Sequence, residues 1–429
     1  MKRFFVQRDR SAPPTNASVL RVGNTLFTGE DDFTSAFGEL SSLEADLLLL
    51  ASAVFAADRA YARGERESIC RDFELSVPIV NQTRLYPLIS LIERILHHLS
   101  NDAWKLEFRQ ESGTPEGRFR TVNKIGRTLL FSGGLDSFAA AIEFGKSPGS
   151  LQLVSHMTKN RINDASQKAL YKILKSKGHK LKHYQCFISS RSGGVSDLQH
   201  DEENTQRTRS FLFLTLGALM ARRSGHREII YLAENGQMAI HLPLTQGRIG
   251  AFSTHTAHPE VLLNIQEFLS QVMNIKFQIV NPYVHRTKAE VVQVICGSAP
   301  EAIPIANSCW RNTRLPANVT HCGECIPCFI RRIAIEYNVT PDPTSYKCDP
   351  WAEDIVSLPP DDEARRNLAD LTELIKRFER DDDEAILSEW PELFYAGINA
   401  PEVISMYRRF SAEARTVLEK YPGFGPLLA

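Results

Sequence analysis

From about residue 124 onward the sequence alternates short apolar runs with longer stretches of helical periodicity, and this restricts the fold more than any other feature. Thr128–Phe131 precedes the helix-like Ser137–Glu143, and Leu151–Val154 precedes Ala165–Lys175. Phe211–Ala221 reads as a mostly apolar buried helix before the strand Glu228–Ala233, and Pro259–Met273 as a helix before the strand Phe277–Val280. Strands separated by helices pair most simply as parallel neighbours with helices covering both faces, so an α/β parallel-sheet core is expected.

The flanks have a different grammar. Toward the N-terminus, strand-like pieces (Val19–Thr28, Phe73–Val80, Trp104–Arg109) mix with two apolar helical stretches, Leu40–Tyr61 and Leu85–Leu99, as in a small α+β domain. The polar segment ESGTPEGR, Glu111–Arg118, reads as a linker. Beyond Pro341 the chain is acidic and helical: Leu368, Leu371, Leu374, Ile375 and Phe378 keep helical spacing, and Val403–Tyr421 forms a further helix. Asp381–Glu384 reads as the solvated start of a helix, and no internal repeat is visible. The expected organisation is an N-terminal α+β accessory domain at 1–120, a core at 124–340 and a helical extension at 341–429.

Composition narrows the setting. The 429 residues are 43% hydrophobic and 24% charged, as in ordinary globular proteins. A net charge of -1 supplies no global field for nucleic acid or an anionic membrane. Arg207, Arg209, Arg222, Arg223 and Arg227 lie close in sequence; a local basic groove is one reading and a solvated helix face the plainer one. The opening MKRFFVQRDR returns to charge after three apolar residues, unlike a signal peptide. The longest apolar run, Ala45–Ala57, is broken by Asp46 and is too short to span a bilayer. A cytoplasmic location without a membrane partner is therefore expected, where eight cysteines serve as thiols or metal ligands rather than disulfides.

Two stretches carry chemistry. In LLFSGGLDSFAAA, Leu129–Ala141, a strand ends in two glycines before a helix begins. Gly133 and Gly134 let backbone N–H groups approach a ligand, and the helix N-terminus adds unpaired donors and partial positive charge suited to phosphate. Ser132 and Ser137 add hydroxyls, while Asp136 suits either Mg²⁺ or the helix cap. The string is neither the GxxxxGK[ST] of a P-loop nor a GxGxxG. Glu234, Asn235 and Gly236 follow another strand end and are candidates for a substrate or adenine pocket, with a plain turn as the alternative. In SCWRNTRLPANVTHCGECIPCFIRR, Ser308–Arg332, the thiols of Cys309, Cys322, Cys325 and Cys328 form a set suited to tetrahedral, structural Zn²⁺. Cys70, Cys186, Cys296 and Cys348 show no ligand spacing, and His156, His183, His241, His255, His258 and His321 are assigned no role.

The string SGGLDS resembles the pyrophosphate-binding loop of the ATP pyrophosphatase superfamily, whose pattern is SGGxDS. The resemblance implies binding of ATP with Mg²⁺ by Ser132, Gly133, Gly134, Leu135, Asp136 and Ser137, attack on the α-phosphate, and release of pyrophosphate. Some members that thiolate RNA carry an iron–sulfur cluster, the rival to zinc at the four cysteines. Loop and cysteines together resemble the 7-cyano-7-deazaguanine synthase family, which pairs SGGxDS with a late C-x(n)-C-G-x-C-x-x-C zinc site followed by an Arg. RTRSFLFLTLGALMA, Arg207–Ala221, is similar to the family's GRN-x-x-F-L-x-x-A helix and puts Arg209 at its Arg. NPYVHRTKAE, Asn281–Glu290, is similar to its P-x-x-x-x-x-K-x-E segment and puts Lys288 at its Lys, suited to α-phosphate charge.

The sequence also departs from that family. A GYPDCR-type string is missing after the strand at Ile229–Ala233, an FDYGQRH string is replaced around His156–Asn163, and Ser210 stands where an Asn is expected. These departures and the added flanks look like the longer relatives in bacterial anti-phage defence operons, such as the Qat system. In that branch the resemblance implies adenylation of a 7-carboxy-7-deazaguanine-like carboxylate and its coupling to an amine of a partner protein from the same operon. The alternatives are a 7-cyano-7-deazaguanine synthase using ammonia, or an ATP-sensing subunit of a defence complex. An RNA-thiolating enzyme ranks last, because it calls for a basic surface and a reactive, metal-free cysteine.

Overall fold

A computed structural model describes residues 1–8, 12–63, 70–117, 124, 126–146, 151–157, 161–190, 203, 206–230, 233–244, 256–311, 315–316, 319–339, 341–352 and 355–428. Arg118, His255 and residues 158–160 fall outside them. The described strands are β1 (Lys2–Gln7), β2 (Ser18–Arg21), β3 (Leu26–Phe27), β4 (Asp72–Ile79), β5 (Ala103–Gln110), β6 (Arg127–Leu130), β7 (Leu151–Met157), β8 (Lys182–Phe187), β9 (Ser189–Ser190), β10 (Glu228–Ile230) and β11 (Gln278–Val280).

The core is a five-stranded sheet in the order β11-β10-β6-β7-β8, parallel throughout. The alternation of strand and helix after residue 124 is thus realised as a doubly wound α/β unit. From β6 the chain first builds outward through β7 and β8, then returns to add β10 and β11 on the other side. That reversal opens a crevice beyond the carboxyl ends of β6 and β10, where open α/β sheets bind ligands.

In the N-terminal region, four strands in the order β2-β1-β4-β5 form a second parallel sheet. Lys2–Gln7 of the opening stretch, read only for its lack of leader character, form β1, which lies inside this sheet. The Ser42–Arg59 helix starts with a capping box between Ser41 and Glu44 and is apolar nearly all round. Burial on both sides explains that composition: it packs on β4 and on the Arg209–Ser224 helix of the core. A short antiparallel pairing of β3 with β9 adds a second tie between the two regions.

The arginines expected on a solvated helix face are largely inside. Arg222 is fully buried and pairs with Glu116, while Arg223 donates from Nε to Glu44 Oε1 at 2.8 Å. Arg207 is also buried and reaches the Ser100 carbonyl at 3.3 Å. The carboxylates that draw them in belong to the N-terminal region, so local sequence could not reveal them. The start of the Arg209–Ser224 helix is held from the same side: buried Asp58 accepts from Thr208 N at 3.0 Å and Thr208 Oγ1 at 2.9 Å.

The C-terminal region is helical, as expected, and Asp382 caps the helix that begins within the acidic run. Its Ala400–Leu418 helix docks beside Thr287, which with Glu290 makes the capping box of the Lys288–Cys296 helix. Thr287 Oγ1 donates to Glu413 Oε1 at 2.8 Å, and Arg409 Nε donates to Glu290 Oε1 at 2.7 Å. Burial pushes the Glu413 carboxyl up to about 7, against the Thr287 hydrogen bond, and Glu413 Oε2 has no hydrogen-bond partner among the described residues.

Between its usual 4.5 and about 7, Glu413 keeps a proton in the folded chain that the unfolded chain has released. Stability from this group therefore falls as pH rises through that window, by at most about 3 kcal/mol. Glu413→Gln is expected to match the parent chain near pH 4 and exceed it at pH 8 in urea-unfolding midpoints.

Candidate functional site

The SGGLDS loop leaves β6 and enters the Leu135–Phe144 helix at the crevice. Gly133 has φ +86, and a Cβ there would lie 3.1 Å from Gln167 Cγ, so glycine is required twice over. At Gly134 a Cβ would come 3.0 Å from the Asn307 carbonyl oxygen. Ser137 Oγ donates to the Gly134 carbonyl at 3.1 Å and lies 3.2 Å from Ser132 Oγ, which accepts Gly134 N–H at 3.3 Å. No side chain caps this helix at Gly134, so its first turn offers backbone donors to an anion. Leu135 is buried in the core below the loop, so its side chain plays a packing role.

Asp136 is not the cap. Its Oδ1 accepts Lys288 Nζ at 2.6 Å, and its Oδ2 accepts Asn235 Nδ2 at 2.9 Å. One carboxylate thereby joins the loop after β6, the turn after β10 and the helix after β11. The Thr287 capping box puts Lys288 in the first turn of its helix, where the dipole disfavours a cation. The neighbouring Asp136 offsets that.

Glu234 completes the polar cluster. Burial, reinforced by the Asp136 carboxylate and opposed by Lys288, pushes its carboxyl up to about 8. Its Oε2 atom is buried without a hydrogen-bond partner among the described residues. Two facing carboxylates, one with an orphaned oxygen, form a donor set of the hard-oxygen kind that Mg²⁺ takes. Asn235 does two jobs: it binds Asp136 and, through Oδ1, caps the Gly236–Ile240 helix at Met238 N, 3.3 Å. Gly236 answers a packing need, since a Cβ would meet Met406 Cε and the Val284 carbonyl oxygen, each at 2.6 Å, and its N–H is bonded to the Arg286 carbonyl.

Arg209 sits at the start of its helix with the guanidinium 4.7 Å over the Phe213 ring. It lies close enough to act electrostatically on His156, the penultimate residue of β7 and so near that strand's carboxyl end. Burial and then Arg209 drive the His156 imidazole down to about 3; its Nε2 bonds to the Ile188 carbonyl, a packing role. His183 likewise bonds Ser155, and His258 caps the Pro259–Met273 helix.

The four cysteines converge. The sulfurs of Cys309, Cys322, Cys325 and Cys328 all lie within 4.8 Å of one another, with Cys322 and Cys328 3.8 Å apart. Tetrahedral Zn–S bonds of about 2.3 Å give an S···S edge of about 3.8 Å, so the cluster has the size of a ZnS₄ site. Gly323, at φ +85, makes the CGEC turn, and a Cβ would run into the Cys348 carbonyl oxygen. Backbone N–H groups of Arg311, Cys322 and Glu324 donate to the sulfurs. His321 is no ligand: its Nε2 accepts from Ser308 N at 3.1 Å, and burial drives it to about 2.

The cluster is wired to the loop through Asn307, which the sequence reading did not single out, and through an arginine that follows the last cysteine. Asn307 N donates to the Gly133 carbonyl at 3.0 Å, and Asn307 Oδ1 accepts from Cys309 N at 3.1 Å. Buried Arg331 holds the Ala306 carbonyl and Ser308 Oγ from the other side, at 3.0 and 3.2 Å. An Asn two residues before the first cysteine and an Arg three after the last are the signals that were available.

A glycine turn feeds an uncapped helix at the switch point of a parallel sheet, with a lysine and two carboxylates around it, an arrangement whose backbone donors suit an anion such as a phosphate. Residues 127–339, just under half of the chain, match the family model described as Queuosine biosynthesis protein QueC. This likeness supports a QueC-like PP-loop core in that segment, and such a core points to an ATP-using enzyme. No curated protein matches the chain. Among the described residues no helix is long and apolar enough to cross a membrane.

Metal analysis of the purified chain is expected to find one zinc ion per molecule. Cys325→Ser should lose the ion, lower the thermal midpoint by several degrees and weaken ATP binding, because Asn307 then loses its anchor.

Proposed function

We propose that the chain adenylates a 7-carboxy-7-deazaguanine-like carboxylic acid with ATP and transfers the acyl group to an amine. The observation that carries this reading is the meeting of Asp136, Glu234 and Lys288 beside the SGGLDS loop. A carboxylate oxygen of the acid bonds to the α-phosphorus, the bond from that phosphorus to the β-phosphate bridging oxygen breaks, and pyrophosphate leaves with the electron pair. The amine nitrogen then bonds to the acyl carbon, AMP leaves with the C–O electron pair, and the amine gives up a proton.

The chain's residues divide these tasks by charge. Backbone N–H groups at the start of the Leu135–Phe144 helix, with Ser132 and Ser137, take the leaving pyrophosphate. Lys288 bears on the α-phosphate, where negative charge gathers in the transition state. Asp136 and Glu234 would hold Mg²⁺, which offsets triphosphate charge when bound. Arg209, at the same sheet edge, contributes further positive charge toward the phosphates.

The acceptor is an amine of a partner protein, and the setting is anti-phage defence. Support for this finer reading lies in the missing GYPDCR-type string and in the N- and C-terminal regions outside the family match. Those regions hold the starts of the helices bearing Arg209 and Lys288, so a partner binding them would act directly on the site.

Mg-ATP with 7-carboxy-7-deazaguanine is expected to yield AMP and pyrophosphate. Asp136→Asn and Lys288→Ala should each lower kcat at least a hundredfold, about 3 kcal/mol of transition-state stabilisation, without unfolding the chain. Arg209→Ala should chiefly raise the KM for ATP. ADP as the product would overturn the reading.

A further inference from the structure

The pairing of β6 with β7 places the glycine turn next to His156. Leu130 is in register with Val154, Phe131 N donates to the Val154 carbonyl at 2.7 Å, and Ser155 Oγ donates to the Phe131 carbonyl at 2.5 Å. One residue further along each chain, Ser132 and His156 stand side by side at the carboxyl ends of the two strands. Neighbouring strands run about 4.8 Å apart, so the surroundings of His156 are close to the first residue of SGGLDS.

Two phenylalanines from different regions pack on the His156 ring. Phe55 of the Ser42–Arg59 helix meets it edge to face at 5.4 Å, and Phe213 of the Arg209–Ser224 helix does so at 5.3 Å. Each phenylalanine also carries an arginine one turn away on its own helix. The Arg59 guanidinium lies 5.8 Å from the centre of the Phe55 ring, as that of Arg209 lies over Phe213. Two cations are thereby brought close to one imidazole, and both act on it electrostatically. Burial, with their help, keeps that imidazole neutral, so the positive charge at this point is that of the arginines alone.

Arg59 is held in this position by backbone as well as side chain. Asp58 grips Thr208, which joins the end of the Ser42–Arg59 helix to the start of the helix that carries Arg209. The Arg59 carbonyl accepts Glu203 N–H at 2.9 Å. Both arginine side chains stay partly exposed, so a solute can reach them. With the uncapped helix start they gather donors and positive charge around one strand end, and forked guanidinium donors match the oxygens of a phosphate. Arg209 lies within the QueC-matching segment, whereas Arg59 lies well before it.

We propose that Arg59 is a polyphosphate-binding residue supplied by the N-terminal region, and that with Arg209 it holds the terminal phosphates of ATP and the pyrophosphate formed from them. Ser132 belongs to the turn that takes those same phosphates, which is why the assignment is to the pyrophosphate end of the nucleotide and not to its α-phosphate. This rests on the adenylating reading and adds to it: the N-terminal region completes the nucleotide site besides covering the core.

The test uses the full-length, zinc-loaded chain with Mg²⁺ and three probes, ATP, inorganic pyrophosphate and AMP, each measured by calorimetry. Arg59→Ala is expected to weaken ATP and pyrophosphate at least tenfold while AMP stays within twofold, and Arg59→Lys should recover part of the loss. A role confined to packing on Phe55 would not single out the probes that carry a pyrophosphate. Arg59→Gln, which keeps an aliphatic stem over that ring, gives the same reading if the alanine variant does not fold. Pyrophosphate affinity within twofold of the parent, AMP weakened as much as ATP, or a parent chain that binds neither ATP nor pyrophosphate would overturn the assignment. The nucleotide product made by the parent chain judges the adenylating reading separately. ADP as product, with pyrophosphate binding lost in the Arg59 variants, would remove that reading and leave Arg59 in its place.

Discussion

Everything at the crevice depends on the carboxylate of Asp136. It accepts from Asn235 after β10 and from Lys288 after β11, and it belongs to the loop after β6. Three connections that are far apart in sequence are thereby held to one point. A buried ion pair of this kind contributes little net stability, because removing both charges from water costs about as much as their attraction returns. Its value lies in placement. The pairing keeps the charged groups of the crevice together at one point beside the glycine turn.

The surrounding architecture works on the ends of elements. Asp58, from the N-terminal region, holds Thr208 at the start of the helix that carries Arg209. Glu413 and Arg409, from the C-terminal region, hold the capping box of the helix that begins with Lys288. The four-cysteine cluster holds Asn307, which in turn holds Gly133. Helix starts and glycine turns carry unsatisfied backbone groups and bend most easily, so bracing them stiffens a site more than further packing of the sheet would. The flanking regions and the cysteine cluster are therefore tied to the elements around the glycine turn through short chains of hydrogen bonds.

Much of this was legible in the sequence. The strand–helix alternation after residue 124 foretold the parallel core, because periodicity reports which face of each element is buried. The SGGLDS turn and the four cysteines were visible because both need particular residue types at short, fixed spacing: glycines where a backbone must approach closely, and thiolates where a soft ion is to be enclosed. Lys288 was found through its segment, and the capping box explains the Lys-x-Glu spacing, since Glu290 closes the box that Thr287 opens. β1 and β8 were missed, the first for its charged flanks and the second because Lys182–Phe187 shows no clean apolar alternation.

What sequence alone determined, then, was most of the core elements and the two chemical motifs, since these follow from local periodicity and local spacing. Tertiary structure decided which residues meet. Nothing near Arg222 announces Glu116, and nothing near Glu234 announces that its carboxyl will be pushed up beside Asp136. Nor does Gln237 reveal that the oxygen of its amide will accept the backbone N–H of Lys288, fifty-one residues away. Hydrogen bonds, desolvation and cavities depend on distance in space. Until the chain folds, distance along the sequence says little about them.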